Sequence, residues 1–460
     1  MHDELIAARI DRLPSSSLHR RLMILFSIPL FFDSVDINSF PSAAPALIHS
    51  WGMSINQIAL ITSGSFMGMF AGAVVGGSLA DRIGRKPALI LFVVIASLGS
   101  LLTALAPNPG WLLGLRIVTG LGIAAGMVTV MTYISELFPA QSRGTWLSGA
   151  MVINLSAIPI TNFVARLVVP LGNEGWRWVF VWGAVGFVFL ALAPMVPESP
   201  RWLARMGRRE QADATLRKIE ARVAGERGAL PEPRVAMGTS AVRAPWTTMF
   251  ERRYLGRTLT LCGIWMLQTL GFYGFEAWVP TLLVKHGITL VHSLTYFTLI
   301  NVGAPLGALL AVYLSDRFER RNTIAVTAAL IAVFGLLYGL TFEPVMIVGF
   351  GFLVGTLVQT FASLLYSYTP EQFPTDLRNG ATGVAYGVGR IANVLNAFVV
   401  AAIFTNLGYV SVFVYIAGAW VLTALITIVF GTRTTRQSLE VLNPLAAERS
   451  FVPNPPVSAD

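Results

Sequence analysis

Twelve apolar runs of about 20 residues or more constrain this chain more than any motif, because a segment of that length in hydrocarbon must satisfy its own backbone N–H and C=O groups. They span 22–48, 55–80, 87–106, 110–137, 143–169, 176–195, 257–284, 294–315, 322–341, 344–369, 377–405 and 409–431. Runs of this length are helices, so the expected fold class is an all-α integral membrane protein with 12 transmembrane helices. Composition agrees: 54% of the 460 residues are hydrophobic and 12% charged, with a mean hydropathy of +0.65, outside the range of soluble domains.

A net charge of +9 would suggest nucleic acid in a soluble chain. The positions of the basic residues exclude that partner. With both termini in the cytoplasm, Arg177 and Lys285 are the only Lys or Arg in outside loops, Arg116, Arg166 and Arg390 lie within spans, and the other 28 of 33 fall inside. That asymmetry sets the orientation in the plasma membrane and accounts for the charge. A cleavable signal peptide, suggested by SAAPA at 42–46, is disfavoured by Asp33 and Asp36 within the run and by its length. Cys262 is alone, and the five histidines have no partner at ligand spacing, so no metal or other cofactor is expected.

The chain is also duplicated. LADRIGRK at 79–86 returns as LSDRFERR at 314–321, with Asp81 and Asp316 lying 235 residues apart. SELFPAQSRG at 135–144 returns as PEQFPTDLRNG at 370–380, with Glu136 and Glu371, and Arg143 and Arg378, at the same offset. One offset shared by two motifs implies two similar halves. The domains read as a cytoplasmic lead at 1–21, a six-helix bundle at 22–196, a polar Arg-rich linker at 197–256 with a helix near 208–223, a second bundle at 257–431 and a cytoplasmic tail at 432–460. The lead reads as a surface amphipathic helix.

The twelve spans, the GSLADRIGRKP loop at 77–87, its echo, and Arg116 in RIVTGLGIAAG together resemble the major facilitator superfamily over essentially the whole chain. Within it, DSVD at 33–36, PESPRWL at 197–203, GFYGFEAWVPTLL at 271–283 and the 370–380 segment look like the aromatic-acid and related metabolite:proton symporters. The usual first-span pattern of that group is D-G-x-D, and this chain has Ser34 at its second position. The resemblance implies two pseudo-symmetric six-helix bundles of inverted repeats, a midplane site and rocking alternating access. It also implies Asp81 near the start of the eleventh span and Arg85 near Glu136.

Intramembrane charges are costly and point to function by default. Asp33 and Asp36 are three apart and share a helix face, which makes them candidates for proton coupling or, for one of them, for a structural ion pair. Arg116 is the expected partner, either tuning the acids or pairing permanently. Arg390 shares a face with Tyr386 and Asn393; a buried guanidinium there either holds a substrate carboxylate or pairs with the other bundle. In the seventh span Trp265, Gln268, Phe272 and Glu276 share a face, with Glu276 a second proton or cation candidate. Gln268 stands opposite Asp33 on the 235-residue ruler. Gln359 and Tyr366 in the tenth span are cavity-lining candidates. Arg166 reads as a snorkelling structural residue, and Gly120, Gly122 and Gly126 as packing positions. Asp81, Arg82, Arg85, Glu136, Arg143, Glu198, Asp316, Arg317, Glu371 and Arg378 form a cytoplasmic set that either latches the bundles or only orients the chain. Glu319 stands where the first loop has Gly84, so the second turn should differ.

These readings converge on a monomeric symporter, not an enzyme, that uses the proton gradient to import a small organic anion, an aromatic or heteroaromatic monocarboxylate. Its partners are the substrate, protons and the lipid bilayer. A sugar, polyol or organic-cation carrier and a non-transporting nutrient receptor remain as alternatives, the last disfavoured by the short tail.

Overall fold

The computed structural model describes residues 2–233, 246–315, 317–373 and 375–433. Every regular element among them is helical. A short helix, α1 (His2–Asp11), precedes six spans: α2 (Ser17–Trp51), α3 (Ile55–Ile83), α4 (Arg85–Ala104), α5 (Pro109–Leu137), α6 (Arg143–Val168), and a sixth made of α7 (Arg177–Ala184) and α8 (Val188–Leu192) joined by a 3-10 turn. The linker holds α9 (Pro200–Arg205) and α10 (Arg209–Arg227). The second set is α11 (Arg252–Glu276) continued by α12 (Val279–Lys285), α13 (Leu290–Asn301) continued by α14 (Gly303–Ser315), α15 (Arg320–Leu340), α16 (Pro344–Glu371), α17 (Thr375–Leu407) and α18 (Tyr409–Phe430).

Local sequence explains several boundaries. Ser54 and Gln57 form a reciprocal capping box at the start of α3, and Asn108 caps α5 with Pro109 in its first turn. Eleven of the twelve crossings are long and apolar enough to be recognised as spans on those grounds alone. The twelfth, α11 with α12, carries Gln268, Thr269, Tyr273 and Glu276 and is interrupted just after Glu276. Pro280, in the first turn of α12, lacks the N–H that would continue the ladder.

The α3–α5 interface is unusually close. Gly64, Gly68, Gly72 and Gly76 recur every fourth residue of α3 against Leu113, Ile117, Leu121 and Ala125 of α5. A Cβ at Gly68 or Gly72 would collide with the α5 backbone itself, so only glycine permits this approach. Gly120 and Gly122 likewise face the backbones of α3 and α4, as the packing reading expects.

The two halves do not touch evenly along their length. One apolar core contains both the first half's Phe40, Leu47, Trp176 and Phe180 and most of the second half's buried residues. These first-half members lie at the end away from the GSLADRIGRKP loop. At the loop end, the core of Leu22, Phe26, Tyr133 and Phe138 contains lead, first-half and linker residues and none of the second half. Ser63 Oγ donates to the Val394 carbonyl at 2.7 Å, and Arg166 Nε donates to Thr295 Oγ1 at 2.8 Å, both across the halves. Arg166, partly exposed, therefore joins the bundles.

The expected surface-lying lead is corrected. Ile6 and Ile10 of α1 are buried with Trp202, Leu203, Ala212 and Leu216 of α9 and α10, so its apolar side is spent on protein rather than lipid. Arg9 and Arg12 pair with Glu220 at 2.6 Å each, and Arg9 also meets Asp213 at 2.7 Å.

Candidate functional site

The acids of α2 occupy different environments. Asp36 Oδ1 accepts the Ser100 hydroxyl of α4 at 2.6 Å and lies 3.5 Å from Arg116 Nη1, while Arg116 Nη2 donates to the Asp36 main-chain carbonyl at 3.0 Å. Both residues of this pair are only 2% exposed, and the Phe180 ring lies 5.6 Å from the guanidinium carbon. Asp33, one turn below, has an oxygen that is buried without a hydrogen-bond partner. A Cβ at Gly126 would lie 3.8 Å from that oxygen, so this glycine borders the acid as well as a helix interface. Ser34, between the acids, takes a 2.8 Å hydrogen bond from Asn154 Nδ2 of α6.

Across the interface Arg390 of α17 hydrogen-bonds the Tyr386 hydroxyl, and its Nη1 donates to the Tyr273 hydroxyl at 3.2 Å. Rings extend from it in a chain: Trp265 stands edge-on to both Tyr386, at 5.2 Å, and Tyr366, at 5.0 Å. Tyr273 meets Phe66 of the first half at 4.7 Å and Phe272 at 4.6 Å. Asn393 is buried one turn above Arg390, its amide nitrogen unpartnered. Gln268 donates to Thr269 Oγ1 at 2.7 Å, and Gln359 packs beside Gly307. A cavity between the halves is lined from one side by Asn38, Thr62, Ser65, Phe66 and Arg116, and from the other by Tyr273 and Glu276.

At the loop end the described charges pair close to home. Arg85 Nη2 meets Glu136 at 2.7 Å and Arg85 Nη1 meets Asp81 at 2.6 Å; Asp81 also binds Arg205 of the linker at 2.6 Å. Glu198 accepts the backbone N–H groups of Arg85 at 3.0 Å and Ser199 at 2.8 Å, and so caps the start of α4. Burial pushes its carboxyl above the ordinary value, and the N–H bonds offset only part of that. Gly84 at φ +105° makes the turn possible; a Cβ there would lie 2.6 Å from Glu198 Oε2. Glu319, its counterpart, has φ −62°, so the second turn does differ. Arg143 bonds the Phe138 carbonyl and approaches Asp11 at 3.6 Å, Arg82 is exposed, and Arg317 contacts Tyr313. Asp316 and the side chain of Arg378 lie outside the described residues. Among the described residues, none of the ion pairs named at this end crosses between the halves.

The sequence profile of the sugar (and other) transporter family matches residues 30–446. The chain belongs to that family. Among its relatives in this family is YyaJ of Bacillus subtilis, named for metabolite transport, at 44% identity over 94% of this chain and 96% of that one. The niacin transporter NiaP of Acinetobacter baylyi is 29% identical over 95% of this chain and 99% of its own. The fold is that of XylE, the Escherichia coli xylose transporter, in a partially occluded inward-open conformation: TM-score 0.74 at 19% identity, covering 92% of this chain and 100% of that one. The protein is thus a multi-pass membrane transporter of the major facilitator superfamily with twelve crossings in two pseudo-symmetric bundles, and not an enzyme.

Several residues of this transporter's site carry no signal of their own in the sequence. Ser100 and Gly183 sit in apolar runs, yet Ser100 binds Asp36, and a Cβ at Gly183 would lie 2.9 Å from Asp36 Oδ1. Tyr273 bridges Arg390 to the cavity. Arg320 pairs with Glu371, as Arg85 does with Glu136; the 235-residue offset from Arg85 leads directly to it.

Proposed function

We propose that this transporter is a secondary active symporter that couples proton entry to uptake of a small organic anion, an aromatic or heteroaromatic monocarboxylate, by alternating access across the plasma membrane. The observation that carries the reading is Arg390. Its hydrogen bonds among the described residues go to two tyrosine hydroxyls and not to a carboxylate, which leaves a planar cation in an aromatic surround. A guanidinium offers a carboxylate two parallel hydrogen bonds, and Tyr and Trp faces suit a flat ring. Niacin, the substrate in the relative's name, is an acid of this kind.

Asp33 and Asp36 take the proton, and Arg116 ties Asp36 to the packing of α5. Trp265, Phe272, Gln268, Gln359, Tyr366, Tyr386 and Asn393 shape the substrate chamber. The carrier rocks readily when empty or fully loaded, because a lone charge sealed into the closed site is expensive. It works as a monomer with both termini in the cytoplasm and with the proton gradient as its driving force. The loop-end charges, paired in this conformation without crossing the halves, form the inner gate by exchanging partners between the bundles when it closes.

Uptake of radiolabelled benzoate, hydroxybenzoates and nicotinate into proteoliposomes under an imposed inward proton gradient tests this. Concentrative uptake of at least one acid is expected, with loss of concentration in the Asp33→Asn, Asp36→Asn double variant. Undiminished accumulation by that variant would refute the coupling role.

A further inference from the structure

We propose that Glu276 is the anion that Arg116 takes up across the interface once Asp36 is neutralised, so that Asp36, Arg116 and Glu276 act as one switch that closes the central cavity. The inference rests on Asp36 as a proton acceptor of the symport proposed above. Arg116 of α5 and Glu276 at the end of α11 line that cavity from opposite halves. Among the described residues, Arg116 forms an ion pair only with Asp36 of its own half, and no cation pairs with Glu276. Asn301 of α13 is the hydrogen-bond partner of the Glu276 side chain, but an amide brings no counter-charge. A carboxylate buried without one is costly inside a span, and a guanidinium that reaches it relieves both charges.

The Asp36–Arg116 contact is built to be released. Arg116 Nη2 is tethered to the Asp36 main-chain carbonyl at 3.0 Å, the contact between the charged groups is the longer one at 3.5 Å, and Arg116 Nε is buried with no acceptor. Ser100 holds the same Asp36 oxygen at 2.6 Å, so the acid keeps a partner when the guanidinium turns away. A proton on Asp36 removes the attraction and leaves Arg116 a buried cation without an anion. Two rivals could break the exchange, and the geometry sets both aside. Asp33 borders Gly126, about 15 Å along α5 from Arg116, and does not line the cavity. Arg390, the other buried cation near α11, is also outside the cavity and is engaged by the hydroxyls of Tyr273 and Tyr386. Glu276 is thus the carboxylate that faces Arg116 across the gap.

Ser65 of α3 and Ala277, just after α11, line the cavity from opposite halves and can report its closure. The pair Ser65→Cys, Ala277→Cys is placed in a Cys262→Ser background, which removes the chain's one native thiol. Bridging by a short bifunctional thiol reagent is then timed in the purified, full-length carrier without substrate. Asp36→Asn, neutral as a protonated acid is, should raise the bridging rate about tenfold, within the usual range of coupling between sites. Adding Glu276→Gln should abolish the rise, and adding Glu276→Asp should preserve part of it. Arg116→Met in the Asp36→Asn background should also abolish it, and it carries the test if the Gln variant does not fold. A rise that survives Glu276→Gln or Arg116→Met, or no rise in Asp36→Asn, overturns the switch while leaving proton-driven uptake standing. If instead the Asp33→Asn, Asp36→Asn carrier accumulates substrate undiminished, the coupling reading fails and this inference fails with it.

Discussion

The Asp36–Arg116 pair gives a measurable consequence of burying two charges inside a span. Replacing Arg116 with Met keeps an apolar stem against Phe180 but leaves Asp36 with Ser100 as its remaining side-chain partner. Replacing Asp36 with Asn keeps the main-chain carbonyl that Arg116 Nη2 uses, but removes the opposing charge. Each change strands a buried charge, and the expected cost is about 3–5 kcal/mol of stability. The direct contact is 3.5 Å, longer than the roughly 2.7–2.9 Å of a strong charge-assisted bond. The coupling energy should therefore fall within the lower part of the usual range, about 1–2 kcal/mol. Equilibrium unfolding of wild type, both single variants and the double variant in mixed detergent micelles measures it. The double variant should be less destabilised than the sum of the singles by that amount. Additivity within about 0.5 kcal/mol would show that the two residues are neighbours without an energetic pair, and the argument would fail.

Two further outcomes follow from packing and from the clasp at the loop end. Gly183→Ala should destabilise the protein by about 1–3 kcal/mol and impair uptake, since the added methyl meets Asp36 Oδ1 at 2.9 Å; Gly186→Ala, which faces Ser97 and Phe32 instead, separates crowding of the acid from crowding in general. For the clasp, burial pushes the Glu220 carboxyl up, but hydrogen bonds from Arg9 and Arg12 outweigh that and leave it below the ordinary value. A lowered folded value means that the stabilisation is present above the ordinary carboxylate range and is lost as pH falls through the lower value. The protection of the α1 amides, measured by hydrogen exchange relative to the intrinsic rate at each pH, should therefore fall as the protein is acidified through that window, and a Glu220→Gln variant should be less protected already at neutral pH.

The spans and the duplication were legible because each is written over tens of residues. A 20-residue apolar run has one structural solution in lipid, and a repeated offset survives local divergence. The site was legible where charge is rare: Asp33, Asp36, Arg116, Glu276 and Arg390 stand out in apolar context. What could not be read is rotational phase. Which acid meets Arg116 depends on how α2, with Pro29, Pro41 and Pro45 inside it, turns against α5, and sequence spacing within one helix says nothing of that. Ser100 and Gly183 look like ordinary packing residues until Asp36 is placed between them. The lead was misread for a related reason: amphipathicity reports that α1 has an apolar side, not whether lipid or α10 covers it. Arg317 drew attention as part of the repeated DR pair, while Arg320, the structural counterpart of Arg85, stood three residues away.

The glycine file of α3 has a mechanical consequence. Two helices in backbone contact at Gly68 and Gly72 cannot slide past each other without climbing over the carbonyls of Ile117 and Leu121. They behave as one stiff beam, with Arg116 near one end of it and Asp81 at the other. A shift at the acid pair is then delivered at the loop end as leverage, not as a relay of side-chain rearrangements. Loosening the beam by a single bulky substitution should uncouple the two ends while leaving each of them locally intact.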